Sequence, residues 1–421
     1  METIALTIDG KKIICPADTS ILEAAEQNGI KIPKLCYHPD LKPFGACRMC
    51  LVEDENTGRL MASCVTPVAP DMIIQTTNER ITKHRRNIAR LMIAEHPESC
   101  IVCNKGNRCQ LRWVAAQQGV GETDLYHMPN YKPFEEANPF IIRDLSKCIL
   151  CGKCIRADHE LVVVGAIDYN LRGFRSRPAT VHELGLEQSS CTFCGTCVSM
   201  CPTGALSAKN THYVGTPEQE TVSICGFCSV GCSLAMGSTD DRIVDVNPAQ
   251  LPDSVNKATL CVRGHFAHDF LNSSQRLISP LGRKKDNQAT DELVPLSWDE
   301  ALSTITKRLS EIKSENGPQS IAFLGSSKCS NEENYLFQKI ARVMIGTNNI
   351  DNGGYIFGQP LMKVLDEKTA GEHRVNRLVD LENAEAILVL GADPNHSVPV
   401  VSYYLKKATQ KGIPLILVDP R

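Results

Sequence analysis

The segments CILCGKC (residues 148–154) and CTFCGTCVSMCP (residues 191–202) decide how this chain folds. Each contains a CxxCxxC run, and Cys201 follows the second run after three intervening residues. In proteins with two interleaved runs, three thiolates of each run bind one cubic [4Fe-4S] cluster, and the trailing cysteine binds the other cluster. The spacing predicts one cluster on Cys148, Cys151, Cys154 and Cys201 and another on Cys191, Cys194 and Cys197.

The position expected to supply the fourth thiolate of the second cluster is occupied by a carboxylate. The residue at that position is Asp158, again after three intervening residues from Cys154. Oxygen binds cluster iron less firmly than sulfur does. We therefore expect exchange between [4Fe-4S] and [3Fe-4S] forms, or a reduction potential set apart from the neighbouring cluster's. The alternative is that another ligand replaces Asp158, which would then be merely solvated.

Structural zinc is the alternative for the whole cysteine stretch, but it normally needs paired CxxC motifs.

Composition narrows the class of protein. The chain has 421 residues, 42% of them hydrophobic and 22% charged, with a net charge of −3, which is ordinary for a soluble globular protein. It has no dense Lys/Arg block that would indicate nucleic acid. No apolar run approaches the roughly 18 residues of a membrane span, and residues 1–14 alternate like a strand rather than a signal peptide.

Cysteine usage indicates metal binding in the cytoplasm. Twenty cysteines without a signal peptide favour thiolate ligands in a reducing compartment over disulfides. All but Cys15 and Cys329 fall into groups with ligand spacing, and we expect those two to be buried as small hydrophobic residues.

Residues 1–78 are predicted to form a small β-rich domain with a [2Fe-2S] cluster. Strands at residues 3–8 and 12–15 would form a hairpin, and Ser20 would cap a helix. The inner face of that helix would comprise Ile21, Leu22, Ala25 and Ile30. The loop FGACRMC (residues 44–50) can fold closely around a cluster and offer N–H donors to its sulfurs. The ligands would be Cys36, Cys47, Cys50 and Cys64, with zinc as the alternative.

Residues 78–95 show a helical pattern that leads into a His/Cys set. The apolar stripe of this helix would comprise Ile81, Ile88, Leu91 and Met92. The set that follows is His96, Cys100, Cys103 and Cys109. A Cys3His zinc site has the same spacing. We prefer a [4Fe-4S] cluster with one imidazole ligand, because an electron carrier is useful between two other iron–sulfur patterns and zinc would interrupt the path.

Together these motifs identify a family resemblance. LCYHP (residues 35–39), GACRMC (residues 45–50), SCVTP (residues 63–67) and the His/Cys set resemble the N-terminal part of the large iron–sulfur subunit of respiratory complex I. The same module is similar in NAD-dependent formate dehydrogenase alpha chains and in iron-only hydrogenases. The resemblance covers residues 1–215.

The rest of the chain resembles molybdopterin-guanine-dinucleotide oxidoreductases, and formate dehydrogenases most closely. The resemblance begins with a [4Fe-4S] set, Cys225, Cys228, Cys232 and Cys261, and continues through SWDEAL (residues 297–302), GTNN (residues 346–349) and DPR (residues 419–421). An α/β pattern follows. Helices are predicted at residues 298–313, 332–345 and 402–410, and strands at 321–325, 386–391 and 415–418.

The predicted fold class is therefore α+β and multidomain. The domains are a β-grasp [2Fe-2S] ferredoxin domain (1–78), a helical His/Cys cluster domain (79–139), a two-cluster ferredoxin domain (140–215), a [4Fe-4S] domain of molybdopterin-oxidoreductase type (216–275) and a truncated α/β molybdopterin-oxidoreductase-like domain (276–421). The ferredoxin domain should contain two βαβ-like halves with a strand at residues 162–169 between them.

The chain departs from formate dehydrogenases at the molybdenum ligand. By the resemblance, the metal-ligand position falls on Phe357 and the following His position on Gly358, and a phenyl ring cannot coordinate a metal. Family members also continue well beyond Arg421 and supply much of the cofactor site there. We therefore expect no molybdopterin and no intact formate dehydrogenase site on this chain.

These observations favour an electron-transfer subunit with one [2Fe-2S] and four [4Fe-4S] clusters. No GxGxxG dinucleotide fingerprint is present. The resemblance implies partners: a flavin-bearing NAD(P)H-binding subunit and a small thioredoxin-like [2Fe-2S] subunit, with a ferredoxin as a further candidate. Two alternatives stay open, a partial formate dehydrogenase alpha chain with a molybdopterin cofactor and a structural scaffold.

Overall fold

The computed structural model describes residues 3–106, 108–121, 125, 132–211, 216–283, 293–369 and 376–420. The chain divides into two compact units. The first comprises Met1–Cys225, Ser229–Asp269 and Leu378–Arg421, and the second comprises Gly226–Cys228 and Phe270–Arg377.

The first unit begins with a five-stranded mixed sheet. The predicted hairpin is present, with Thr3–Ile8 antiparallel to Lys11–Pro16. Thr3–Ile8 also pairs in parallel with Ile73–Gln75, and Leu51–Asp54 and Arg59–Ala62 complete the sheet. A sheet in this arrangement buries one face and needs a helix to cover it.

Helix Ile21–Gln27 covers the sheet and is capped as predicted. Ser20 accepts a hydrogen bond from the backbone N–H of Glu23, and the Glu23 side chain accepts one from the backbone N–H of Ser20, an arrangement worth about 1 kcal/mol. Three of the four predicted core residues, Ile21, Leu22 and Ala25, are fully buried. The fourth, Ile30, lies beyond the end of the helix. Cys15 belongs to the same core, as expected.

Two helices and a 3-10 turn form the next segment. Helix Glu79–Glu95 begins at Asn78, whose side chain accepts from the N–H of Ile81. The turn Cys100–Val102 and helix Gln110–Gln117 follow. Ile81 is buried as predicted, but Leu91 is 61% exposed and does not belong to the packed face.

Residues 132–211, called the ferredoxin-like segment below, contain short elements around the two cysteine runs. Helices Lys153–Arg156 and Thr196–Met200 each start inside a run. The strands form a three-stranded and a two-stranded antiparallel sheet. They are Phe134–Glu135, Ile141–Asp144 and Leu206–Ala208, and then Asp168–Asn170 and Arg177–Ala179.

The predicted strand at residues 162–169 is largely wrong. The chain instead continues the preceding helix as a π-helix, Ala157–Val162, and strand geometry begins only at Asp168. Val163 ends the π-helix in the left-handed conformation, with φ of 56°. Burial of Leu161 and Val162 in the helical conformation outweighs the strand preference of the valine-rich stretch.

The first unit closes with a small sheet and a C-terminal α/β layer. Gln219–Ile224, Ser233–Thr239 and Arg242–Pro248 form an antiparallel sheet, followed by helix Val262–Phe266. In the C-terminal layer the strands Ile387–Leu390 and Leu415–Val418 are parallel. Its helices are Pro394–Ser397 and Pro399–Gln410, and the latter starts three residues before the predicted boundary because proline suits a first turn.

Over its described residues, the second unit contains three long helical stretches and two small sheets. Its helices are Trp298–Asn316, Asn331–Lys339 with the π-helix Ile340–Ile345, and Gly354–Thr369. Its strands are Leu281–Arg283 with Leu293–Pro295, and Phe323–Leu324 with Ile350–Asp351. Cys329 is exposed, so the prediction that it is buried was wrong. In the described parts of the chain, no helix is long and apolar enough to cross a bilayer.

Candidate metal centres

The predicted ligands form five sets, numbered here along the chain. None of the twenty cysteines is in a disulfide. Site 1 is Cys36, Cys47, Cys50 and Cys64; site 2 is His96, Cys100, Cys103 and Cys109; site 3 is Cys148, Cys151, Cys154 and Cys201; site 4 is Asp158, Cys191, Cys194 and Cys197; site 5 is Cys225, Cys228, Cys232 and Cys261.

The four thiols of site 1 converge in a buried position. The thiol of Cys36 lies beside those of Cys47 and Cys64, and the thiol of Cys50 lies beside that of Cys64. This proximity lowers the pKa of Cys36 and Cys50 and raises the pKa of Cys47 and Cys64. Gly45 turns the loop with φ of +66°, and a Cβ there would lie 3.2 Å from Val65. Site 1 is therefore a tight pocket of four thiols, and the loop of residues 44–50 folds over it.

Site 2 opens onto a cavity next to the protein surface. Its wall contains His96, Cys100 and Cys109, while Cys103 points toward the ferredoxin-like segment. His96 Nδ1 lies 3.1 Å from the carbonyl oxygen of Pro97. A proton on Nδ1 completes this hydrogen bond and leaves the lone pair of Nε2 available to a metal.

At site 3, all four thiols line one cavity. Cys148, Cys151, Cys154 and Cys201 share it with apolar neighbours that include Ile149 and Leu206. Burial raises the pKa of Cys148 to about 11 and that of Cys151 to about 12. The thiols thus keep their protons unless a cation displaces them. Gly152 has φ of +70°, and a Cβ there would come within 2.6 Å of the Tyr169 hydroxyl.

Site 4 contains the carboxylate at the predicted place. Asp158 lines one cavity with Cys191, Cys194 and Cys197. Burial raises the pKa of Asp158 and of all three thiols, and the Asp158 charge adds to the rise at each thiol. The Oδ2 atom of Asp158 accepts a hydrogen bond from the N–H of Ile167 at 3.1 Å. The structure therefore brings the four predicted groups together.

Three members of site 5 lie in the first unit. The N–H of Cys225 donates to the carbonyl of Cys232 at 2.8 Å, and Cys261 precedes helix Val262–Phe266. A Cβ on Gly264 would lie 3.6 Å from Cys225 Sγ. Cys228 belongs to the second unit.

Sites 1 and 3 are connected by Arg156. Its Nη1 donates to the carbonyl oxygen of Lys42 at 2.6 Å, and its Nη2 donates to the carbonyl oxygen of Cys36. The guanidinium lies 5.3 Å from the centre of the Phe44 ring. Sequence reasoning missed Arg156, because its partners are more than a hundred residues away.

Sites 4 and 5 have two aromatic side chains between them. The buried ring of His265 covers Gly195, where a Cβ would lie 2.6 Å from its Cγ and Nδ1. The Tyr403 hydroxyl donates to the carbonyl oxygen of Leu260 at 3.3 Å and lies close to Thr192. No sequence signal pointed to these residues.

At sites 3 and 4 the predicted ligands surround cavities rather than meeting at one point. A cubic cluster requires this spacing, because each thiolate binds a different iron atom.

Five family models match the chain in consecutive order. A 2Fe-2S iron-sulfur cluster binding domain matches residues 1–79, the NADH-ubiquinone oxidoreductase-G iron-sulfur binding region matches 85–124, and a 4Fe-4S dicluster domain matches 147–205. The molybdopterin oxidoreductase Fe4S4 domain matches 218–273, and molybdopterin oxidoreductase itself matches 276–421. The predicted family resemblance is confirmed. The chain thus contains [2Fe-2S] and [4Fe-4S] binding domains in a mixed α/β protein.

Curated relatives extend the match along nearly the whole chain. The NADPH-Fe(3+) oxidoreductase subunit alpha of Geobacter sulfurreducens is 35% identical over 99% of this chain and 48% of its own length. An NADH-quinone oxidoreductase subunit of Rhizobium meliloti is 33% identical over 97% and 46%. A Staphylococcus aureus protein provisionally named formate dehydrogenase is 29% identical over 97% and 45%. The chain spans about half the length of these relatives.

Proposed function

We propose that this chain is the multi-cluster electron-transfer subunit of an NAD(P)-linked oxidoreductase complex. It would pass single electrons between a flavin subunit and another redox partner. The observation that carries the proposal is the continuity of the sites. Arg156, two residues after Cys154 of site 3, donates to the backbone of Cys36 in site 1. Site 2 lies against the segment that carries site 3, and His265 with Tyr403 lies between sites 4 and 5. The names of the relatives, subunits of NADPH- and NADH-linked enzymes, support the same function.

The ligand sets are part of the proposal. Site 1 would hold the [2Fe-2S] cluster in a β-grasp domain, which the mixed sheet and its covering helix support. Sites 2, 3, 4 and 5 would each hold a [4Fe-4S] cluster, with His96 the single imidazole ligand. When bound, these clusters supply one-electron chemistry. The protein contributes buried cavities and backbone N–H groups directed at sulfur, such as that of Leu150, 3.4 Å from Cys148 Sγ.

Asp158 is proposed as the fourth ligand of site 4. It faces the same cavity as the three cysteines, and its charge acts on each of their thiols. A partly buried carboxylate is costly unless hydrogen bonds or positive charge compensate it. Burial raises the pKa of Asp158, and hydrogen bonding from the backbone N–H groups of Ile167 and Ala166, together with the charges of His159 and Lys406, opposes that rise without cancelling it. An iron atom in the cavity would add positive charge beside the carboxylate.

The partner-facing side of the chain is proposed to be at sites 1 and 2. Apolar side chains next to their ligands are open to solvent: Ile101 is completely exposed, and Trp113 and Phe44 are about half exposed. Apolar groups exposed beside a redox site indicate a protein interface. Nicotinamides exchange a hydride, which carries two electrons, whereas clusters carry single electrons. A flavin must therefore accept the two electrons and pass them on one at a time. We therefore assign this face to a flavin-bearing NAD(P)H-binding subunit, with a small thioredoxin-like [2Fe-2S] subunit nearby.

The other end of the path needs a second redox partner. We propose the molybdopterin-oxidoreductase-like region as its docking platform, with a ferredoxin as a candidate. Thiol ligands of this number require a reducing compartment, so we assign the complex to the cytoplasm.

A partial formate dehydrogenase alpha chain is the second candidate. The family match over residues 276–421 favours it. Against it, the position that should ligate molybdenum is Phe357, which lies in helix Gly354–Thr369 with Gly358.

The proposed function predicts how the chain is reduced. The full chain, purified or reconstituted without oxygen, should be reduced by dithionite but not by NADH or NADPH. Reduction by a nicotinamide requires a flavin that accepts the hydride, and we assign that flavin to a partner subunit. Visible absorbance in an anaerobic stopped-flow instrument measures this. Adding a flavoprotein that oxidises NAD(P)H should restore reduction. Rapid reduction by either nucleotide without flavoprotein would show that the partner argument is wrong.

A further inference from the structure

The loop between Cys103 and Cys109 is docked on the ferredoxin-like segment. A Cβ on Gly204 would come within 2.3 Å of Cys103 Sγ. The buried Asn104 donates to Ser207 Oγ at 2.9 Å, and the N–H of Gln110 donates to the carbonyl oxygen of Pro202 at 2.9 Å. The loop of site 2 thus forms part of the surroundings of site 3.

This docking places two ammonium groups beside site 3. Lys105 Nζ donates to the carbonyl oxygens of Val198 and Cys201, each at 2.8 Å. Lys153, only 3% exposed and located between two ligands of site 3, donates to Gln110 Oε1 at 3.2 Å. Burial lowers the pKa of both lysines, and the charge of Lys105 lowers that of Lys153 further, whereas the Cys201 thiolate favours the charged form of both.

Neither ammonium forms an ion pair with a carboxylate in the described part of the chain, in contrast to neighbouring cations, although the charge of Asp245 favours the charged form of Lys105. Arg143 pairs with Glu135 at 2.6 Å, and Lys147 pairs with Asp144 at 2.8 Å. Arg108, from the same loop as Lys105, pairs with Asp245. Lys153 is buried and Lys105 is partly buried, so their two like charges are unfavourable unless an anion compensates them. The thiolates of site 3, formed when bound iron displaces their protons, are groups that can provide this anion.

We propose that Lys105 and Lys153 are the counter-charges of an anionic cluster at site 3 and raise its reduction potential. This rests on the proposed function and assigns the residues that tune one step of it. Reduction adds a negative charge to the cluster, and nearby positive charge stabilises the reduced form. Lys105 is contributed by the loop of site 2, so docking of that loop also sets the potential of site 3.

Replacing either lysine with methionine should make site 3 harder to reduce. In Lys105→Met and Lys153→Met we expect the reduction equilibrium constant of this cluster to fall about tenfold, or 59 mV for one electron. Lys105→Arg, which keeps the charge, should retain the wild-type value, and Lys12→Met removes one exposed charge as a control. The measurement is an EPR-monitored redox titration of the full chain, in which the site 3 signal is the one that Cys148→Ala abolishes.

The outcomes separate this inference from the proposed function. An unchanged site 3 potential in both methionine variants, with all clusters present, would overturn the inference. The two lysines would then act only as structural hydrogen-bond donors. Loss of the cluster in Lys105→Arg as well as in Lys105→Met would also overturn it, because a charge effect must survive in the arginine variant. Absence of iron from the wild-type chain would instead refute the proposed function.

Discussion

Replacement of Cys201 with alanine is expected to remove the cluster of site 3 and to leave that of site 4. Only three residues separate Cys201 from Cys197, yet its thiol lines the cavity of Cys148, Cys151 and Cys154. Loss of one of four thiolates leaves an iron atom without a protein ligand, so the iron content should fall by up to about four atoms per chain. Iron analysis and EPR spectra of the dithionite-reduced chain measure the effect.

Cys15→Ala is the matched control for this experiment. Cys15 is buried in the N-terminal core and belongs to no ligand set, so its replacement should leave the iron content unchanged. Loss of the site 4 signal with retention of the site 3 signal in Cys201→Ala would contradict the assignment of Cys201.

Replacement of Asp158 with cysteine should convert site 4 into a site with four thiolates. The new thiolate would bind the fourth iron more firmly than the carboxylate does. We expect the EPR signal of this one cluster to change and its [3Fe-4S] form, where present in the wild type, to disappear. Asp158→Ala should have the opposite effect and favour the [3Fe-4S] form.

Asp168→Asn is the control for Asp158, since Asp168 is an exposed carboxylate on strand Asp168–Asn170 and belongs to no ligand set. Its spectrum should match the wild type. An unchanged site 4 signal in both Asp158 variants would count against ligation by Asp158. Its carboxylate would then serve only as the acceptor for the N–H of Ile167.

The grouping of side chains at sites 3 and 4 could be predicted from the sequence because it depends on local spacing. The crossed pattern of two CxxCxxC runs assigns Cys201 to the first run and Asp158 to the second, and each residue lines the cavity of that run. The N-terminal hairpin and the Ser20 cap were also predictable, since alternation and capping act over a few residues.

Long-range contacts could not be predicted in this way. Lys105, Arg156, His265 and Tyr403 have ordinary local surroundings in the sequence, and each acquires its role from a partner brought close by folding. The prediction of a strand at residues 162–169 was wrong for the same reason, because long-range packing decides the conformation there. Its valines favour a strand by propensity, but packing beside site 4 selects a π-helix that brings Asp158 to the cavity.

Metal analysis combined with a reductive EPR titration tests whether five iron–sulfur sites make this chain an electron carrier. The full chain, prepared without oxygen, should contain about 18 iron atoms, two in one [2Fe-2S] cluster and four in each of four [4Fe-4S] clusters. Its clusters should each take up one electron reversibly, and molybdenum should be absent. Stoichiometric molybdenum with formate oxidation by this chain alone, or zinc in place of iron at the cysteine sites, would contradict the account.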